Sequence, residues 1–412
     1  MADQVVITGV GIVSPLGLTA AAHYEAACAG RTGVRPVDRF DVTGLRTRIA
    51  GVVDKESFAE QLRGADSRLM DRFAQMAVVA AREALEDAGI RPGDGSLDPG
   101  RLAVCVGTAQ GGRVSDEELM ESYFRLGRVR QAGAVPLIMP SAGASWVSIL
   151  CDARGPSFSI SNACASGVQS LAQGARLLRS GACEAVLAGA ADAPITRHLF
   201  SAWGTIRATS ARNDDPSRAS RPFDAGRDGF VLAEGAAVLL LERATRAMER
   251  GAPIYAEIVG SGDSSDSCDI VAPDASGAGA VRAIRAALGD AGIEPDEVTL
   301  ISAHGTSTRL NDAAEALALQ SVFGVDGRAA VMSLKSMTGH AMGASGAIEV
   351  ATLAMVLKNR VVPAHPNLTD ADPACRLNHV PGQPGRYEGG FALANSFGFG
   401  GVNSCLVLAP WK

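Results

Sequence analysis

Lysine is almost absent from this 412-residue chain: Lys55, Lys335, Lys358 and Lys412 stand against 34 arginines in a basic total of 38. We read that scarcity as genomic base composition, not as chemistry. Aromatic residues are also few, at 5%. A net charge of −6 removes any global reason for binding nucleic acid or an anionic membrane. The eight cysteines form no CxxC pair and no zinc spacing, and most lie in apolar runs such as Val104-Cys105-Val106. Neither a disulfide framework nor a metal site is expected. No apolar run approaches the roughly 20 residues needed to span a bilayer. Met1-Ala2-Asp3-Gln4 leads straight into a strand with no signal-peptide pattern. The expectation is a cytoplasmic globular protein.

What is abundant is small and apolar: 47% hydrophobic residues and 47 glycines. That composition suits a closely packed α/β fold, and the length calls for one large domain or two fused ones. Val5–Val13 reads as a buried strand whose glycines do not make GxGxxG, so no dinucleotide site is expected. Helices are expected over Thr19–Ala29 and Asp66–Gly89, with a strand over Leu102–Val106. Ala132–Ala144, punctuated by Pro and Gly, reads as a loop. A strand follows at Ala185–Ala190, and the core resumes at Val231–Glu242. Near residue 250 the pattern restarts: strand Ile254–Val259, helix Gly277–Gly292, strand Thr299–Ala303, helix Asp312–Phe323, strand Ala330–Leu334, helix Ala344–Leu357. Two similar halves, 1–250 and 251–412, are the expectation.

One stretch organises the first half. Pro156–Ile160 alternates like a short strand, and Gly167–Leu178 has helical spacing, so Cys164 falls on the turn between them. The unpaired N–H groups at a helix start favour thiolate over thiol, and the thiolate is the nucleophile. The second half repeats the design with His340 before the helix at Ala344. Polar loops without an evident packing role sit at Ala303-His304-Gly305-Thr306-Ser307-Thr308 and Lys335-Ser336-Met337-Thr338-Gly339-His340, with Glu349 nine residues on. A glycine-rich turn, Asn395-Ser396-Phe397-Gly398-Phe399-Gly400-Gly401, separates two strands.

ACASG, HGTST, KSMTGH and NSFGFGG, in this order, closely resemble the β-ketoacyl-acyl-carrier-protein synthases of the elongating Cys-His-His type, and the likeness spans essentially the whole chain. The resemblance implies a thiolase-like α/β fold: two duplicated halves in a five-layer α-β-α-β-α arrangement, usually dimeric. Carried over by position, Cys164 would take the acyl chain as a thioester, and His304 and His340 would assist decarboxylation of malonyl-acyl carrier protein. Lys335 and Glu349 would form an ion pair behind the histidines. The backbone N–H groups of Cys164 and Phe399 would hold an oxyanion, and the Phe399 ring would act as a gate. Thr306 and Thr308 would bind the phosphopantetheine arm of the carrier protein. No prosthetic group or metal is implied, because the substrates travel on that arm.

An acidic carrier protein needs a basic rim, for which Arg68, Arg72 and Arg207 are the candidates by position. Gln110 and Trp203 depart from the apolar residue and the Phe common in the acyl pocket, so a shorter, polar or unsaturated acyl group is expected. Arg309 replaces a common Pro. Fatty-acid and type II polyketide or polyene pathways both remain open, as do a homodimer and a heterodimer with a chain-length-determining subunit. Two other readings compete. A degradative thiolase would want a second catalytic cysteine, and Cys405 instead lies in an apolar run. A non-catalytic partner subunit would lack Cys164.

Overall fold

The computed structural model describes residues 4–62, 67–129, 131 and 133–412. Ten strands form its large sheet. The first half contributes β1 (Val5–Val13), β2 (Leu102–Gly107), β3 (Ser157–Phe158), β4 (Ala185–Asp192) and β5 (Gly235–Arg243). The second half contributes β6 (Ala256–Ser265), β7 (Val298–Ser302), β8 (Ala330–Met332), β9 (Phe391–Gly398) and β10 (Val402–Pro410). Their spatial order is β8-β7-β9-β10-β6-β1-β5-β4-β2-β3. Read outward from the centre, each half runs through its own strands in the same sequence. Each also pairs them identically, antiparallel near the centre and parallel towards the edge. The halves meet edge to edge where β1 pairs antiparallel with β6, Val5 opposite Ile258.

Helices complete the layers. Helix α1 (Arg72–Asp87) covers the outer face of β1, β4 and β5, and α3 (Ala278–Ala291) covers β6 and β10. Helix α4 (Arg309–Phe323) packs beside α3. Between the two half-sheets lie α2 (Ser166–Arg179) and α5 (Gly343–Asn359), packed on each other and on strands of both halves. The duplicated packing leaves a mark in the sequence. A Cβ added at Gly11 would stand 1.9 Å from the Ala80 carbonyl oxygen of α1, and one at Gly262 would stand 2.2 Å from that of Ala283 in α3. Only glycine lets either helix lie so close to its strand.

Several boundaries differ from expectation. The helix expected from Asp66 begins at Arg72, because Asp71 caps it by accepting the Phe73 N–H and Ser67–Leu69 forms a separate turn. Asp66 itself lies outside the described residues. The stretch expected as a loop at 132–144 contains helix Ala134–Ile138 and the start of helix Ala142–Leu150. Strand β6 starts later and runs to Ser265, since its ladder with β10 continues through the polar Ser261-Gly262-Asp263-Ser264. Main-chain pairing there overrides the composition that reads as a loop. Among the described residues, no helix is long and apolar enough to cross a membrane.

Candidate active site

Both central helices deliver their turns to one place. Cys164 sits in a single 3-10 turn, Ala163–Ala165, directly before α2. The turn is held by Ser166, whose Oγ accepts the Asn162 N–H at 2.9 Å and donates to the Ala163 carbonyl at 2.7 Å. Ser396 of β9 donates to the Cys164 carbonyl at 2.8 Å. A Cβ on Gly398 would lie 3.1 Å from the Cys164 nitrogen, so a bare strand end is what brings the Phe399 turn against the cysteine.

His340 precedes α5 and is fixed by its backbone: its N–H donates to Val231 at 2.7 Å, and its carbonyl accepts from Ala233 at 2.9 Å. Its Nε2 lies 3.1 Å from Cys164 Sγ. His304 follows β7, with its N–H and that of Gly305 both donating to Glu315 of α4 at 2.8 Å. Cys164 Sγ and one ring nitrogen of each histidine fall within 4.8 Å of one another. The structure thus brings together three residues separated by up to 176 positions.

Lys335 and Glu349 form a hydrogen-bonded ion pair with side chains 1% and 2% exposed. Burial raises the Glu349 carboxyl, and the Lys335 ammonium opposes the rise. Burial, then the Lys335 charge, pushes both His304 and His340 well below the usual imidazole range, so both are neutral at physiological pH. The expected resting thiolate at Cys164 is not what these surroundings favour. Desolvation pushes the thiol up to about 12, against the smaller pull of Lys335 and of its own backbone N–H. The helix start works in the expected direction, but the enclosing side chains outweigh it.

A cavity of about 690 Å³ opens onto these groups. Thr306 and Thr308 line it, their hydroxyls 2.9 Å apart, and Thr308 also caps α4 through the Asn311 N–H. Gln110, Trp203 and Phe399 line it too; the Trp203 and Phe399 rings are 5.4 Å apart and Phe399 is 38% exposed. Of the arginines singled out, Arg207 is exposed on the cavity lining, and Arg68 is exposed away from it. Arg72, expected as the third docking arginine, is instead turned inward to an ion pair. Its guanidinium, 15% exposed, grips the fully buried Glu234 together with Arg39. A buried carboxylate demands such partners, which a reading of sequence position cannot reveal.

Sequence reasoning missed three features. Asp192, at the end of β4, accepts from Thr108 Oγ1 and from the N–H groups of Ala109, Gln110 and Gly343, tying the Gln110 loop to the start of α5. A carboxylate ending a buried strand was the available signal. Arg46, and Arg309 that the sequence singled out only as replacing a Pro, join Arg207 as exposed arginines on the cavity rim. Ser345 contacts the His340 ring.

Residues 2–247 match the family described as Beta-ketoacyl synthase, N-terminal domain, and residues 255–369 match Beta-ketoacyl synthase, C-terminal domain. The chain is 38% identical over 411 residues to 3-oxoacyl-[acyl-carrier-protein] synthase 2 of Synechocystis, covering 99% of this chain and 98% of that one. The Staphylococcus aureus protein of the same name is 38% identical, with 99% of each covered. Among solved structures, a ketosynthase/chain length factor for ishigamide superposes with a TM-score of 0.93 at 32% identity, covering 100% of both chains. A beta-ketoacyl synthase from Burkholderia phymatum gives 0.92 at 35%, again over 100% of both. A type II PKS acyl-carrier protein in complex with its ketosynthase gives 0.91 at 31%, also with full coverage.

Proposed function

The chain belongs to the β-ketoacyl synthase family, and from that premise we propose that it joins an acyl group held on Cys164 to malonyl-acyl carrier protein. The observation that carries this reading is the Cys164 sulfur 3.1 Å from His340 Nε2, with His304 beside them, on one cavity wall. In the first step Cys164 attacks the thioester carbonyl of an acyl-carrier protein. The new C–S bond forms as the pantetheine sulfur departs and takes the thiol proton, so no thiolate need exist beforehand. In the second step the malonyl carboxylate leaves as carbon dioxide. Its bonding pair becomes an enolate, which neutral imidazole N–H groups and the nearby Lys335 charge stabilise. The enolate carbon attacks the Cys164 thioester, a C–C bond forms, and the cysteine sulfur leaves as a thiolate that takes a proton from solvent. The backbone N–H groups of Cys164 and Phe399 are assigned to the oxyanion of each tetrahedral intermediate.

Thr306 and Thr308 are assigned to the phosphopantetheine arm, and Phe399 to the gate at its entrance. Arg207, Arg46 and Arg309 ring the opening and suit an acidic carrier protein. Gln110 and Trp203 bias the pocket towards shorter, polar or unsaturated chains, whether in fatty-acid or polyketide synthesis. No resident cofactor is assigned. The chain pairs with itself or with a chain-length-determining subunit, and in the latter case it is the catalytic member, because it keeps Cys164.

Intact-protein mass after incubation with a panel of acyl-carrier proteins tests the reading. Wild type should gain one acyl mass and Cys164→Ala none. An equal gain in the variant, or no gain with any donor both alone and together with a chain-length-determining subunit, overturns it. Preferential loading of saturated chains of about 12 carbons or more would remove the chain-type assignment alone.

A further inference from the structure

We propose that Ser345 is a positioning residue that fixes His340 as the tautomer carrying its proton on Nε2; this rests on the condensation reading above. Ser345 lies in the first turn of α5, 4% exposed, so its hydroxyl must find partners within the protein. Two groups meet its Oγ. The Ala341 N–H is 2.8 Å away and His340 Nδ1 is 2.9 Å away. A backbone N–H can only donate, so one lone pair of the hydroxyl is committed to accepting from Ala341. The hydroxyl proton is then left with a single acceptor among the described residues, His340 Nδ1. Were Nδ1 protonated instead, Ser345 would accept twice and its own O–H would be buried with no acceptor, the costly arrangement for a polar group. Nδ1 therefore keeps its lone pair, and the proton sits on Nε2.

That assignment matters because Nε2 is the nitrogen facing Cys164 Sγ at 3.1 Å. Its N–H points at the place where negative charge develops, on the enolate oxygen and then on the departing cysteine sulfur. The same fixed proton removes His340 as a base for the thiol, consistent with the proton passing to the departing pantetheine sulfur. His304 has no such device: its Nδ1 is buried without a partner among the described residues. The two histidines are thus unequal, one locked as a donor and one free to take either tautomer.

The test uses wild type and Ser345→Ala, each carrying ¹⁵N-labelled histidine, with His340→Asn to assign the ring signals. Wild type should show His340 with a bare Nδ1 and a protonated Nε2, and Ser345→Ala should show the two tautomers mixed. In kinetics, Ser345→Ala should lower kcat for malonyl decarboxylation by about threefold to tenfold, the weight of one hydrogen bond, with KM unchanged. Acyl mass gain at Cys164 should persist, and an unchanged melting temperature would separate positioning from folding. An unaltered His340 signature in Ser345→Ala, or a wild-type signature with the proton on Nδ1, overturns the proposal. Failure of wild type to acylate at all would instead sink the condensation reading, and the imidazole spectra would still decide the tautomer.

Discussion

The two turns that meet at the site occupy equivalent places in the duplicated halves, yet they are built on opposite plans. The Cys164 turn leads into α2, which keeps a polar face, and it holds its shape through neutral serine hydroxyls. The His340 turn leads into α5, buried from Gly343 to Leu357, and it has a charged pair, Lys335 and Glu349, sealed behind it. Both turns hold a non-glycine residue at positive φ, Ala163 at +47° before Cys164 and Met342 at +48° after His340. A nucleophile must be reached by a substrate and must change partners during the reaction. A donor that stabilises a transient enolate must not move. On the proposed reading, the duplication supplies one scaffold and each copy serves one of these needs.

The largest effect should separate the two turns by step. Cys164→Ala should lose acylation entirely and condensation by about 10⁴-fold or more. His340→Ala should still gain acyl mass, while its malonyl decarboxylation falls by about 10²- to 10⁴-fold. Equal loss of both steps in His340→Ala would break the division of labour. Next in size is the sealed pair. Lys335→Met leaves Glu349 buried and alone, and denaturant unfolding should register a loss of about 3–5 kcal/mol. Adding Glu349→Leu should recover most of that stability without recovering decarboxylation, which would show that the pair serves chemistry more than folding.

Titration sharpens the same contrast. The Cys164 thiol is raised to about 12, so it is protonated at neutral pH and its thiolate fraction grows with every step upward. Its alkylation rate should climb roughly tenfold per pH unit between about pH 7 and 10. A plateau inside that window would mean a preformed thiolate. Both histidines are lowered, so protonation requires a pH well under the ordinary imidazole value. The decarboxylation rate should therefore show no acid limb centred near about 6.5, and finding one would count against neutral donors. The smallest effect concerns the rim onto which both turns open. Arg207→Glu should raise KM for the carrier protein by up to about fivefold and leave kcat alone. Arg72→Ala should do the reverse of a docking variant, lowering stability by about 1–3 kcal/mol with KM unchanged.

Much of this was legible in the chain. The restart of the strand–helix pattern near residue 250 announced the duplication. Small residues around Cys164 and His340 announced central, closely packed helices. Segment boundaries were less so: β6 runs on through Ser261–Ser265 because its ladder with β10 pays no heed to side-chain polarity. Arg72 looked like any surface arginine until folding placed Glu234 beneath it, 162 residues away.

The sequence by itself determined which reactive groups exist and on which local turns they stand, because strand–turn–helix periodicity and glycine placement act over a few neighbours. Tertiary structure alone decided their state. Whether Cys164 rests as thiol or thiolate, whether the histidines are charged, and which nitrogen of His340 bears the proton all depend on burial, on Lys335 and on Ser345. Those are properties of the space around a group, and that space is assembled from segments far apart in the chain.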